Sequence, residues 1–377
     1  MLNAQKVRLY PTSKQKELIS QQIGGARYIY NRMLALRINA YQKFSKKVGK
    51  FDLIKHATKL KGRDKTSWLK QIDSQVIQQS IANMDKAYLH FFKGGGFPKF
   101  KSRHHSRQSF QYPQRVKIDN NKIYLPKVGW VKAKGLRPFS GKIKTVTVTH
   151  EAYQYSASIL MDDAVNNIMV NHNRKTVGID VGVANVITDS NGVEVKPLDL
   201  VKELSKLRKR AQQLSNKQKG SRNRAKAKAK IAKQNLRIAN IRKDFLHKLS
   251  KQYSENQTVV VEDLKIKNMT KSAKGTEEKP GKNVAQKKGL NRSITQQSWG
   301  MFFEMLEYKL IRNGGSLVKV DPKFTSQICN CCGHKDKKNR RSQSKFVCVS
   351  CGFKANADVN AANNILDRHI VNIVKAG

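Results

Sequence analysis

Hydrophobic and polar positions change their period several times along the chain, and each change marks an element. "KVRLY" alternates as a short strand and is followed by Pro11, after which Thr12 and Gln15 stand at capping-box spacing and open a helix. "SQVIQQSIANMDKAYLHFFKGGG" predicts a second helix: Ile77, Ile81, Met84, Tyr88 and Phe91 fall on one stripe, and Gly94 to Gly96 stop it. Gln75, Gln79, Asn83 and Lys86 lie on the opposite face. From Phe97 to about Met161 the period drops to two, in "KIYLPKVGWVKAK", "KIKTVTVTH" and "YQYSASIL", with turn residues between. That texture predicts antiparallel strands forming a small barrel.

A new block begins at Lys175. "KTVGIDVGVANVITDSNGVEV" predicts two or three strands joined by tight turns, the last through Asn191 and Gly192. Val177, Ile179 and Val181 share one face of the first strand, and Gly178, Asp180 and Gly182 share the other. An acid between two residues without side chains suggests room for a phosphate or a metal to approach. Two long helical patterns follow, through Leu200, Leu204, Leu207, Ala211 and Leu214, then Ile231, Ile238, Ile241, Phe245 and Leu249, with a break at Gly220. They predict a helical hairpin over about 199–256. "QTVVVEDL" is an apolar strand ending at Glu262, and the Lys, Gly and Ser rich stretch 265–292 is expected to be a flexible loop. A helix in "SWGMFFEMLEYKLIRNGG", a strand in "SLVKV", a cysteine segment and a helix from about Ala357 complete the order.

Charge narrows the function. The 377 residues carry a formal net charge of +49, which calls for a polyanionic partner, and nucleic acid is the first candidate. A membrane surface is the competitor, but no apolar run is long enough to span a bilayer and no charged-then-apolar leader opens the sequence. A soluble, cytoplasmic protein is expected. The hairpin has no acid between Glu203 and Asp244, so Arg208, Lys209, Arg210, Arg222 and Arg224 are candidate nucleic-acid contacts. The amides of Gln75, Gln79 and Asn83, with Lys86, are candidates for reading bases, because an amide pairs bidentately with adenine; a solvated helix face is the plainer reading.

The cysteines all fall in "CNCCG" and "CVSCG". Cys329 and Cys332, and Cys348 and Cys351, have the spacing of two zinc knuckles, each closed by a glycine, and one structural Zn(II) is expected on those four thiolates. Cys331 is out of register and reads as a spare thiol, and His334 as a loop residue.

The order strand, strand, strand, helix, strand, helix, strand, helix from Lys175 onward is that of an RNase H-like α/β domain, in which the first and fourth strands lie side by side. Asp180 and Glu262 then converge, and Asp358, in the first turn of the last helix, can join them. Three such carboxylates hold two Mg(II) ions for phosphodiester hydrolysis.

"GIDVGVANVITDSNG", "VVVEDL", "FTSQICNCCG" and "CVSCGFKANADVNAANNI", in this order, closely resemble the TnpB family of small bacterial insertion elements, relatives of type V CRISPR effectors. "GGARYIYNRML" and "FKGGGFPKFKSR" extend the likeness to the N-terminal half. The resemblance implies an RNA-guided DNA endonuclease with a wedge β-barrel at 1–10 and 97–172. It further implies a helical recognition lobe at 11–96, a split RuvC nuclease at 173–322 and 355–377, and a zinc ribbon at 323–354. It places Asp180, Glu262 and Asp358 as the catalytic acids, with a guide RNA and target DNA as partners, one protein per guide RNA, and a short duplex motif read beside the target. Where many members carry an acid and an Arg before the last Asp, this chain has Asn356 and Ala357. The rival readings are a catalytically silent RNA-guided DNA-binding regulator, a general RNA-binding zinc-ribbon protein, a DNA-joining transposase and a compact type V CRISPR effector.

Overall fold

The computed structural model describes residues 2–104, 107–138, 141–162 and 175–376. The chain forms two compact units, Met1–Asn166 with Gly220–Lys233, and Asn167–Lys219 with Gln234–Gly377. The boundary expected at 172–173 lies outside the described residues.

In the first unit β1 (Leu2–Tyr10) leads into α1 (Ser13–Phe44), α2 (Lys50–Leu60) and α3 (Ser74–Phe92). The expected capping box opens α1: the Gln15 amide donates to Thr12 Oγ1 at 3.3 Å, and Gln15 Oε1 accepts the Thr12 amide at 3.1 Å. The strands β2 (Arg107–Tyr112), β3 (Lys117–Asp119), β4 (Lys122–Leu125), β5 (Gly129–Lys134), β6 (Lys142–Glu151) and β7 (Gln154–Asp162) join β1 in one antiparallel sheet, ordered β2-β6-β7-β1-β5-β4-β3. β1 therefore sits in mid-sheet, paired to β7 and β5. No ladder joins β2 to β3 among the described residues. The apolar stripe of α3 (Ile77, Ile81, Met84 and Tyr88) is buried in the same core as Val7, Leu9, Val131, Val148 and Ile159 of the sheet. Helices and sheet here share one core.

The second unit is built on β8 (Thr176–Asp180), β9 (Ile187–Asp189), β10 (Glu194–Val195), β11 (Thr258–Glu262) and β12 (Ser316–Val320), in the order β10-β9-β8-β11-β12. β8, β11 and β12 run parallel, and β9 and β10 are antiparallel additions. α4 (Val201–Ser215) and α5 (Arg222–Tyr253) lie between β10 and β11 in the sequence. α6 (Ile266–Met269), α7 (Val284–Gln297) and α8 (Trp299–Arg312) precede β12. The hairpin strands β13 (Lys345–Val347) and β14 (Lys354–Asn356) precede the last helix, α9 (Ala357–Ala376). The run "VVV" is apolar throughout because β11 is covered on both faces: Val259 and Val261 pack with Leu246, Leu249, Phe302 and Leu306, whereas Val260 packs with Ile365 of α9.

Two expectations are corrected. The stretch 265–292 is structured: α6 leads to a turn bridged between Gly275 and Pro280, and α7 follows, burying Ile294. The turn requires glycine, since a Cβ on Gly281 would lie 1.5 Å from the Ala273 carbonyl oxygen. The bare face at Gly178 is not open to a ligand either. A Cβ there would lie 2.2 Å from the Ala362 carbonyl oxygen and 2.9 Å from Leu366 Cβ, so the glycine lets α9 press onto β8.

Candidate active site and metal centre

β8 and β11 are in parallel register from Thr176 opposite Thr258 to Ile179 opposite Val261. Asp180 and Glu262 are the next residues of the two strands and end them at the same sheet edge. The contact at Gly178 holds α9 across β8, so the first turn of α9 carries Asp358 toward the same edge. Asn356 fixes that turn, its Oδ1 accepting the amides of Asp358 and Val359 at 2.9 and 3.4 Å.

The three acids act on one another. Burial first, then the charges of Glu262 and Asp358, push the Asp180 carboxyl up to about 7, against the pull of Arg340 and the Val181 amide. Burial also raises Glu262, opposed by the Thr325 hydroxyl and by Arg368. Thr325, itself buried, donates to Glu262 Oε1 at 2.6 Å. An Arg340 guanidinium nitrogen lies 2.8 Å from Asp358 Oδ1. Such partly buried, crowded carboxylates suit divalent cations, whose charge offsets both the desolvation and the repulsion that raise Asp180. Among the described residues only the four cysteines gather all their ligand atoms within 4.8 Å; the three acids are electrostatically coupled but more widely spread.

The cysteine cluster is Cys329, Cys332, Cys348 and Cys351. Cys329 and Cys351 sulfurs are 3.7 Å apart, and Cys332 and Cys348 sulfurs 3.6 Å. Four sulfurs about 2.3 Å from a tetrahedral zinc would be separated by about 3.8 Å, so the set fits that ion. Gly333 and Gly352 close the knuckles at φ 74° and 75°, their amides donating to the Cys329 and Cys348 carbonyls. The Cys351 amide, directed at Cys348 sulfur at 3.5 Å, holds that thiol down to about 6. Cys331 is exposed and outside the cluster, and His334 contributes its backbone carbonyl to the Cys329 amide.

The ribbon serves the acids through residues that the spacing of cysteines does not disclose. Thr325 precedes the first knuckle and Arg340 lies between the two. Asn360 and Asn364, buried one turn apart on α9, clamp that region. Asn364 Nδ2 donates to the carbonyls of Thr325 and Ile328 at 2.8 and 2.7 Å, and Asn360 bonds the Ile328 carbonyl and the Asn330 amide. The signal was present in "ADVNAANN", two amides at helical spacing on the inward face.

The candidate nucleic-acid residues separate. Arg208, Lys209, Arg222 and Lys86 are exposed, and Arg224 is half-buried. Arg210 is engaged inside the hairpin, donating to Gln234 Oε1 at 2.7 Å while Gln234 Nε2 donates to Glu203 Oε2 at 2.7 Å. On α3, Gln79 Nε2 donates to Asn83 Oδ1, Asn83 Nδ2 to Gln111 Oε1 at 2.9 Å, and Gln111 Nε2 to Thr147 Oγ1 at 3.0 Å. Gln75 Oε1 accepts the Gln114 amide at 3.2 Å. This face is neither a bare solvated surface nor a row of open amides, because it is bonded to the sheet.

Comparison with known proteins places the chain as a whole. A family model described as "Probable transposase", of the OrfB type of IS605, matches residues 158–273. A Cas12f1-like TNB domain model matches 299–365, and a helix-turn-helix domain model matches 1–47, which here is β1 followed by the single helix α1. InsQ of Escherichia coli (strain K12), named a candidate RNA-guided DNA endonuclease, is 41% identical over 370 residues, covering 97% of this chain and 92% of that protein. A Streptomyces pristinaespiralis protein of the same description is 32% identical over 373 residues, covering 96% and 88%. The cryo-EM structure of a Cas12f1–sgRNA–target DNA complex superposes with a TM-score of 0.55 at 14% identity, covering 97% and 98%, a likeness of fold.

Proposed function

The chain belongs to the TnpB family, and from that premise we propose that it is an RNA-guided DNA endonuclease that hydrolyses target DNA at Asp180, Glu262 and Asp358. The observation that carries the reading is the placement of two acids at the ends of neighbouring parallel strands, with a third brought to them by α9. Strand order and acid positions fit an RNase H-like (RuvC) nuclease at 173–322 and 355–377, interrupted by a zinc ribbon at 323–354. The N-terminal unit is read as the wedge domain, 1–10 and 97–172, with a helical recognition lobe at 11–96 that packs on the same core.

Two Mg(II) ions on the three acids would supply an activated water and Lewis acidity at the leaving oxygen. The chain's own residues prepare the site. Thr325 orients Glu262 through its hydroxyl, Arg340 orients Asp358 and adds positive charge, and Asn356 fixes the turn from which Asp358 projects. Asn356 thus fills one of the two positions at which this sequence departs from many relatives, and it does so as a helix cap. Sequence would be read by pairing with one guide RNA per protein, and the protein itself would read a short adjacent duplex motif. No helix among the described residues is long and apolar enough to cross a membrane; the place of action proposed for a guided DNA nuclease is the cytoplasm, at the nucleoid.

The test compares RNA-free protein, protein with its guide and protein with a scrambled guide on one plasmid in magnesium. Cutting is expected with the cognate guide alone, and is expected to vanish in Asp180→Ala, Glu262→Ala and Asp358→Ala. Equal cutting in all three arms would make this an unguided nuclease.

A further inference from the structure

The second unit contains a cavity of about 300 Å³ between the start of α4, the middle of α5 and the end of α7. Its volume is at the lower end of small-ligand sites. Leu204 and the aromatic ring of Phe245 provide apolar wall, and Gln296 and Gln297 contribute two adjacent amides. Arg242 also lines it, with a buried Nε that has no hydrogen-bond partner. The one acid in the wall, Asp199, accepts the Val201 amide at 2.9 Å at the start of α4.

A hydrogen bond joins the cavity wall to the loop that follows Asp180: Gln297 Nε2 donates to the carbonyl of Val183 at 3.3 Å.

An aromatic face, the exposed amide of Gln296 and a guanidinium with one buried, unpartnered nitrogen are the groups that receive a base out of its stack. The ring takes the base face, amides bond the base edge, and a guanidinium takes a phosphate. We propose that this cavity holds a single unstacked nucleotide of the DNA strand delivered to Asp180, Glu262 and Asp358, with its base against Phe245 and Leu204 and its phosphate on Arg242. The inference rests on the reading of that site as a DNA nuclease. It assigns the cavity a positioning role: seating one base fixes the strand's register, and so which phosphate reaches the acids.

The experiment replaces Gln296 with the photo-crosslinking residue p-benzoylphenylalanine in an Asp180→Ala background, so that bound DNA persists, in complex with guide RNA and labelled target DNA. Crosslinks are expected at one DNA nucleotide or its immediate neighbour. Arg242→Gln should lower the yield about tenfold, the effect of one lost charge-assisted contact, and Arg242→Lys should recover part of it. Leu204→Trp, which fills the space and keeps every charge, should lower the yield as well. Crosslinks to the guide RNA, crosslinks spread evenly along the DNA, no crosslink, or a yield indifferent to both Arg242→Gln and Leu204→Trp would each overturn the proposal. In the plasmid assay with the wild-type chain, a scrambled guide that cuts DNA as well as the cognate one would defeat the guided reading instead, while the crosslink in the Asp180→Ala background would still report who occupies the cavity.

Discussion

Asp180 is held between two demands: it must be ionised to bind a cation, yet its surroundings push it up to about 7. In an unfolded chain an aspartate titrates near about 3.9. Because the folded protein binds this proton more tightly, the contribution to stability is complete below the unfolded value and is lost as pH rises through about 7. Asp180→Asn should therefore match the wild type in unfolding free energy near pH 4 and exceed it at pH 8 without added magnesium, by roughly a few kcal/mol, with a higher melting temperature at pH 8 only. Magnesium should close that gap by stabilising the wild type alone. A difference independent of pH in a thermal melt would show that the carboxyl is not strained in this way. The convergence of the three carboxylates, though not their role, was legible in the sequence because each ends or begins an element whose pattern is strong. Thr325, Arg340, Asn360 and Asn364 were not, since their partners are brought near only by the crossing of α9 over β8.

The cysteine segment and α9 together hold the groups that touch the acids: Thr325 on Glu262 and Arg340 on Asp358, with Asn364 binding the Thr325 carbonyl. Cys348→Ser should cost the bound zinc and, by loosening Thr325 and Arg340, sharply reduce cleavage even in excess magnesium. Cys331→Ser should keep both, and metal analysis of the two variants beside wild type checks the assignment; equal zinc loss would mean that the ligand register is wrong. Gly178→Ala tests the helix crossing. Its methyl would meet the Ala362 carbonyl at 2.2 Å, so α9 must shift, at an expected cost of about 1–3 kcal/mol, and cleavage should fall. An unchanged denaturant midpoint would show that the helix has room there. At this scale strands and long helices follow from periodicity. α7 escaped because Lys, Gly and Ser dominate its neighbourhood and it buries one residue, Ile294. The amides of α3 escaped because Gln111 and Thr147, their partners, lie on strands that nothing local to the helix announces.

Over the whole molecule, a net charge of +49 makes salt act in opposite senses on the free and the bound protein. Screening relieves self-repulsion in the free chain, so its melting temperature should rise between about 50 and about 500 mM salt, a range that spans the ionic strength at which the Debye length is about 10 Å. The guide RNA should raise the melting temperature most at low salt and lose that advantage as counterions compete. Scanning calorimetry with and without guide checks both slopes; a free protein indifferent to salt would mean that its charges are locally compensated. The close passage of α9 over Gly178 also has a consequence for the order of events during synthesis. The first strand of the nuclease sheet must wait for the last helix, and two of the three acids leave the ribosome long before the one that completes them. On the proposed reading, a nascent or prematurely ended chain that stops short of Asp358 should be a basic nucleic-acid binder without a blade, and the capacity to cut should arrive only once this helix has been translated.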